Sequence, residues 1–468
     1  MLPGTNFKAS QRERLKLYHT QLRTAIENNM DKKESDLANK IRQQFNTVPY
    51  PINPIEKSPS EEIICLYSHN IINPFYFRNQ KIIEAEGKVI LDAGCGSGYT
   101  TLALAQANPG ASVVGIDFSK ESVDVARKRL DYHGFKATEV YALSIEELPK
   151  LGKEFDYINC DEVLYLLPEP TLGLQAMKSV LKPCGIIRAN LHSSLQRFPY
   201  YRAQEIFKLM GLMDGTLQDL ETEIAWEIMR ALKEQVLLKR QTWAPEYDED
   251  KELTRVNHLL QGDKGYTIPE MFSALEAAEL EFISMVNWRQ WELMDLFKAP
   301  ENLPVFLGVS LPETSIEERL HLYELFNPVH RLLDFWCGHP NQSQSFEPVS
   351  EWTLSDWQEV KVHLHPQLKT AAVKEGLVRC LTQLHPFEIS KYLPIAGKQI
   401  TVESTLAACL LPPLLESTQS MQSLVKRWQT LRPVHPLTLE QTTEDEAMEI
   451  LRQALTGLED AGYVLLER

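Results

Sequence analysis

Between residues 89 and 191 the chain repeats one rhythm: a short apolar run, a polar turn, a helix-spaced segment, then another apolar run. The runs are Val89-Ile-Leu-Asp92, Ser112-Val-Val-Gly-Ile-Asp117, Thr138 to Leu143, Phe155 to Cys160 and Ile186 to Leu191, which predict five strands. Between them, Thr100 to Asn108 carries Leu102, Leu104 and Ala105 at helical spacing and is stopped by Asn108-Pro109-Gly110. Lys120 to His133 reads as a helix capped by Ser119, with Glu121 favouring its positive end. Thr171 to Leu181 reads as another, ending at Lys182-Pro183-Cys184-Gly185. Strands and helices alternating across short links predict an α/β fold with a parallel sheet, whose ligands lie at the C-terminal ends of the strands.

The flanks follow other rhythms. Gln11 to Ile41 is charged and lacks Gly and Pro, with Leu15, Tyr18, Leu22 and Ile26 spaced for one helix face. Val48-Pro-Tyr-Pro-Ile-Asn-Pro is extended and proline-punctuated, and Glu61 to Asn70 is a short helix. Residues 1–80 are thus expected to be a helical lid, or else an extension packed on the side of the domain. A mostly helical stretch between Gln196 and Gly265 interrupts the alternation, and its position makes it a candidate substrate cap. Thr267 to Leu280 is a helix with Pro269 in its first turn; Glu281 to Trp288 and Leu303 to Leu311 are expected strands. The expected division is a core over 81–312, with the insertion at 196–265, and an accessory α+β domain over 313–468. The tail, Thr405 to Trp428, Thr443 to Ala461 and Gly462 to Arg468, reads as helix, helix, helix, strand and resembles a winged-helix unit. Its third helix carries Glu444, Asp445, Glu446 and Glu449, which would repel phosphate, so a scaffold or protein-contact role is favoured over DNA binding.

Composition narrows the function classes. The chain has 468 residues, 43% hydrophobic, and a net charge of −16, which argues against a nucleic-acid partner. No apolar run reaches the ~18–20 residues of a membrane span; Thr405 to Leu415 is too short and contains Pro412 and Pro413. The first residues lack a signal-peptide layout, and seven cysteines without paired spacing suit a reduced, cytoplasmic protein. His363-Leu-His365-Pro366 and Cys337-Gly-His339-Pro340 look metal-like but lack a second pair at zinc spacing, so no metal is expected. Trp288 to Trp291 is expected to be packing.

The chemistry is concentrated in Asp92-Ala-Gly-Cys-Gly-Ser-Gly98, where glycines at 94, 96 and 98 link the first strand to a helix. Glycine there permits a sharp turn and a close backbone approach, and the helix N-terminus turns free N–H groups to the same place. Asp117 ends the second strand, 25 positions after Asp92, where dinucleotide-type folds hold ribose hydroxyls. An NAD enzyme shares the acid but wants its third glycine where Tyr99 stands.

This spelling resembles the first motif of class I S-adenosylmethionine (SAM) methyltransferases, and Lys88 to Ser193 matches that family's layout. The fold implied is a Rossmann-like core closed by an antiparallel hairpin, here Glu281–Trp288 with Leu303–Leu311. Val48-Pro-Tyr-Pro-Ile-Asn-Pro-Ile-Glu-Lys-Ser-Pro59 is similar to the Tyr-Pro-x-x-Pro segment of bacterial methyltransferases with a C-terminal regulatory domain, a group that includes protein-lysine methyltransferases. The resemblance implies SAM as cofactor. Gly94, Gly96 and Gly98 would meet its methionine end, Asp92 would lie near its ammonium, Asp117 would hold the ribose, and Phe118, Ser144 and Ile145 would meet the adenine. Many relatives have an acid where Ser144 stands.

Transfer from a sulfonium needs positioning plus removal of an acceptor proton. Asp161, Glu162 and Tyr165 after the fourth strand, and His192 after the fifth, are the candidates, with packing an equal reading for Tyr165 and a structural role the commoner one for His192. The Asn/Asp-Pro-Pro-Tyr/Phe loop of amide- and base-methylating families is absent. The expected activity is methyl transfer to a protein side-chain amine; the alternatives are a small-molecule acceptor or a SAM-binding regulatory protein without turnover.

Overall fold

The computed structural model describes Ile41 and residues 50–214, 219–342 and 347–468. The expected helix over Gln11 to Ile41 falls outside the described residues, Ile41 excepted. The centre is a sheet built on β1 (Val89–Ala93), β2 (Ser112–Asp117), β3 (Glu139–Ala142), β4 (Phe155–Cys160) and β5 (Leu181–Ser193). These five run parallel, and β1 lies between β2 and β4, so the chain reverses direction of travel across the sheet at β1. That crossover opens a crevice at the carboxyl ends of β1 and β4. Apolar residues on both sheet faces bury completely, among them Ile90, Leu91, Ile158 and Ile187. Helices Tyr99–Ala107, Lys120–Tyr132 and Pro170–Ser179 form where the periodicity placed them, and Ser119 caps the second by accepting from the Ser122 amide.

The remaining strands are β6 (Gly265–Tyr266), a short partner of β5, then β7 (Glu281–Met285) and β8 (Leu332–Gly338). β8 inserts between β5 and β7, antiparallel to both. The closing strand is therefore not Leu303 to Leu311. Val305–Ser310 is a helix there, with Val305 and Phe306 more than three-quarters exposed. Leu332-Leu-Asp-Phe-Trp-Cys-Gly338 takes the place in the sheet, because Asp334 can enter it only beside Arg188 of β5, at 2.7 Å. The core sheet thus extends beyond residue 312.

Residues 198–258 supply the helical insertion: Phe198–Leu209, Asp219–Ala231, Leu237–Thr242, Glu246–Glu249 and Glu252–His258. Among the described residues after β8 come five helices of six residues or more and a three-stranded antiparallel sheet in which Lys361–Leu364 lies between Gln419–Ser420 and Val464–Glu467. The last 65 residues hold the expected three helices and final strand, Ser404–Glu416, Met421–Leu431, Glu444–Asp460 and Val464–Glu467, with the two-residue strand Gln419–Ser420 between the first two helices. The short helices Ile63–Ser68 and Ile72–Asn79 join this unit to the core. On one side Asn70 donates to the Ala107 carbonyl (2.9 Å); on the other Tyr67 enters the C-terminal apolar cluster. No described helix is long and apolar enough to cross a membrane.

Candidate active site

A cavity of about 620 Å³ opens at the carboxyl ends of β1, β2 and β4. Its volume falls within the ~300–1,000 Å³ of small-ligand sites. Gly94, Gly96, Asp117, Phe118, Ser144, Ile145, Asp161 and Glu162 all line it. Phe118, Leu143, Ile145, Leu166 and Leu167 give an apolar wall. Its ionisable lining is mostly acidic: Glu62, Asp117, Glu146, Asp161 and Glu162 against Lys57. An apolar slot joined to an acid-rich floor fits a ligand with a flat ring, hydroxyls and positive charge.

Asp117 accepts from the Gly96 amide (3.0 Å) and the Ser119 amide (2.8 Å). Burial raises its carboxyl above the usual range while those two amides pull it down. Asp92 differs from expectation. It lies behind the cavity, 1% exposed, and its carboxylate accepts from Thr101 Oγ1 (2.7 Å) and Asn159 Nδ2 (3.0 Å). It organises the loop from beneath instead of facing a ligand. Gly98 does not line the cavity either: a Cβ there would lie 2.7 Å from Ala126 Cβ, so this glycine lets two helices approach. A Cβ on Gly94 would lie 2.4 Å from Val163 Cγ2.

The four proton-handling candidates divide. Asp161 faces the cavity but is tied to Asn190 Nδ2 (2.5 Å), with Arg188 Nη2 at 3.6 Å and His69 Nε2 at 3.8 Å. Burial alone would raise its carboxyl, but the Arg188 guanidinium and His69 outweigh burial and hold it well below the usual range. Glu162 has left-handed backbone (φ +60°), and its amide donates to Asn190 Oδ1 at 2.8 Å. Such a conformation costs on the order of 1–3 kcal/mol and fixes the direction of the side chain. Glu162 accepts from Tyr165 Oη (2.9 Å) and from both terminal nitrogens of Arg331. Burial works to raise this carboxyl too; His192 and Arg331 overcome it and hold it below the usual carboxylate range.

Tyr165 and His192 sit behind Glu162, outside the lining, their rings stacked at 3.6 Å. His192 Nδ1 is 2.7 Å from Asp263 Oδ1, and Asp263 in turn receives Arg197 Nη2 (2.6 Å) and Gln204 Nε2 (2.9 Å). His192 Nε2 faces Arg331 Nη1 at 3.1 Å. Asp263, Arg331 and Tyr50 were not among the sequence candidates. Asp263 and Arg331 lie 71 and 139 positions from His192, and only folding brings them together. Tyr50 belongs to the proline segment, which the sequence did mark. The metal-like histidines have protein partners: His365 Nε2 meets Asn73 Oδ1 (3.0 Å), His339 Nε2 the Leu181 carbonyl (3.2 Å), and His363 Nδ1 the Thr418 hydroxyl (3.1 Å).

Residues 84–268 match the family profile described as a methyltransferase domain. An uncharacterized protein of Synechococcus is 27% identical over 67% of this chain and 73% of its own length. The ubiquinone biosynthesis O-methyltransferase of Actinobacillus pleuropneumoniae is 35% identical over 25% of this chain and 52% of its own, so the match spans about half of that relative. Among solved structures, PKMT2 from Rickettsia typhi in complex with AdoHcy shares the fold, with a TM-score of 0.57 and 16% identity, covering 85% of this chain and 76% of that one. The strand order, the glycine loop with its acid on the next strand, and the profile match make residues 84–268 a class I SAM-dependent methyltransferase domain.

Proposed function

We propose that this chain methylates a side-chain amine of a protein acceptor in the cavity walled by Asp161 and Glu162. The observation that carries the reading is Glu162, a carboxyl in the cavity wall on left-handed backbone, paired with both terminal nitrogens of Arg331. Such a group attracts an ammonium side chain and orients its N–H bonds once neutral. SAM, when bound, supplies a methyl group activated by a positively charged sulfur. The rest falls to the chain: Val163, Leu166 and Leu167 keep water from the wall, and Glu162 orients the amine, whose proton leaves to solvent. Seven free thiols fit a reducing, cytoplasmic setting.

A small-molecule hydroxyl acceptor is the second reading, favoured by the 35% identity to the ubiquinone biosynthesis O-methyltransferase over 25% of this chain. Incubating the protein with methyl-labelled SAM and an extract of its source organism, then separating by size, distinguishes the two. Label on protein that survives base treatment and maps to lysine is the expected result. Label confined to small molecules establishes the second reading, and SAM binding with no label anywhere rejects both.

A further inference from the structure

Segment 50–57 crosses the glycine loop, and the middle glycine faces it. A Cβ on Gly96 would lie 2.1 Å from the carbonyl oxygen of Tyr50. The Ser97 amide donates to that carbonyl at 2.9 Å, and Ser97 Oγ donates to the Pro51 carbonyl at 2.7 Å. Further along, Arg129 of helix Lys120–Tyr132 directs its guanidinium at the same segment. Its Nη2 donates to the Asn53 carbonyl (2.8 Å), its Nη1 to the Pro54 carbonyl (2.7 Å) and its Nε to the Ser97 carbonyl (3.0 Å). His133 Nε2 adds a contact to the Ile55 carbonyl at 2.9 Å. Arg129 is 0% exposed, and these hydrogen bonds all go to main-chain oxygen. A guanidinium removed from water is costly unless its donors are met, and here the two terminal nitrogens are met only with the segment in place.

The same segment walls the cavity through Tyr50, Pro51, Asn53 and Lys57, whereas Arg129 does not touch the cavity. We propose that residues 50–57 are a strap stapled over the glycine loop by Arg129, and that Gly96 is glycine to admit the strap's carbonyl. Arg129 is then a positioning residue for the cofactor: it acts by holding a wall of the site. This inference rests on the cofactor site and is independent of the acceptor.

The test uses the full chain and S-adenosylhomocysteine as probe, with two readouts: binding by calorimetry, and the rate of tryptic cleavage after Lys57, located by mass spectrometry. Arg129→Gln and Gly96→Ala are each expected to weaken binding at least about tenfold, the effect of losing one to two such hydrogen bonds. Each also speeds cleavage after Lys57. The double variant binds no worse than the weaker single variant, since both release one strap. Ser97→Ala, which keeps the Ser97 amide bond, moves both readouts less in the same direction and serves if Arg129→Gln does not fold. Weaker binding in Gly96→Ala with Lys57 still protected overturns the proposal, because the added methyl then obstructs the ligand itself. Multiplying losses in the double variant, or unchanged binding in all variants, overturn it equally. Binding and cleavage as expected, without methyl transfer to any acceptor, leave the strap standing and sink the acceptor reading alone.

Discussion

Asp92 shows how one residue type in one motif can take a different post from the one its position suggests. Burial dominates its environment and lifts its carboxyl to about 6, despite hydrogen bonds from Thr101 and Asn159 that pull the other way. A folded pKa above the unfolded value means that folding favours the protonated acid. The stabilisation is complete below the unfolded value and is lost as pH rises through about 6. In cofactor-free protein, urea titrations at pH ~5 and ~8 should show the wild type losing about 1 kcal/mol relative to Asp92→Asn. An equal gap at both pH values would mean that Asp92 is ionised throughout. Asp161 and Glu162 have the opposite sign, since their depressed carboxyls contribute stability that is lost only at lower pH. The two effects therefore occupy separate windows.

The element that sets the cofactor loop is helix Tyr99–Ala107, which starts at Gly98 with φ +82° and packs on helix Lys120–Tyr132. Periodicity located both helices, but only their packing explains the third glycine. Gly98→Ala should cost about 3 kcal/mol, combining the left-handed strain with a Cβ overlapping Ala126. Adding Ala126→Gly should return little of that in urea denaturation, because the Ala126 Cα, 2.8 Å from the same Cβ, stays in the way. Recovery of more than about 1 kcal/mol would show that the Ala126 methyl alone sets the cost. The missed closing strand is the converse case. Leu303 to Leu311 is the more apolar run, yet a short apolar run does not distinguish strand from helix. Leu332–Gly338 hid behind Asp334, whose charge is balanced in the sheet by Arg188, diagonal to it across β5 and β8.

At the scale of the whole molecule, helices Ile63–Ser68 and Ile72–Asn79 are a shared strut. The side chain of Asn70 grips the core at Ala107, while Asn73 meets His365 in the C-terminal unit. Tyr76 Oη donates to Glu459 Oε1 (2.9 Å) and accepts from the Leu466 amide (3.1 Å). Tyr76→Phe should leave the buried Leu466 amide unmet and take one partner from the half-buried Glu459, costing about 1–3 kcal/mol. Because the strut belongs to both sides, calorimetry of this variant should still give one transition at a lower temperature; two transitions would show that the C-terminal unit unfolds by itself.

The five parallel strands, their helices, the glycine loop and Asp117 were legible in the sequence. Their determinants are local: a period of two or 3.6, a cap, a turn, and residues close together in the chain. What reads the loop from outside was not legible. Val163, Ala126 and the Tyr50 carbonyl each explain one glycine, and Asp263, Arg197 and Arg331 surround His192, all from distant segments. Those pairings are set by burial, which makes a polar group find a partner wherever the fold brings one within reach. The sequence by itself determined the cofactor-binding scaffold; only the tertiary structure decided which acids face the cavity, which support it from behind, and what closes over it.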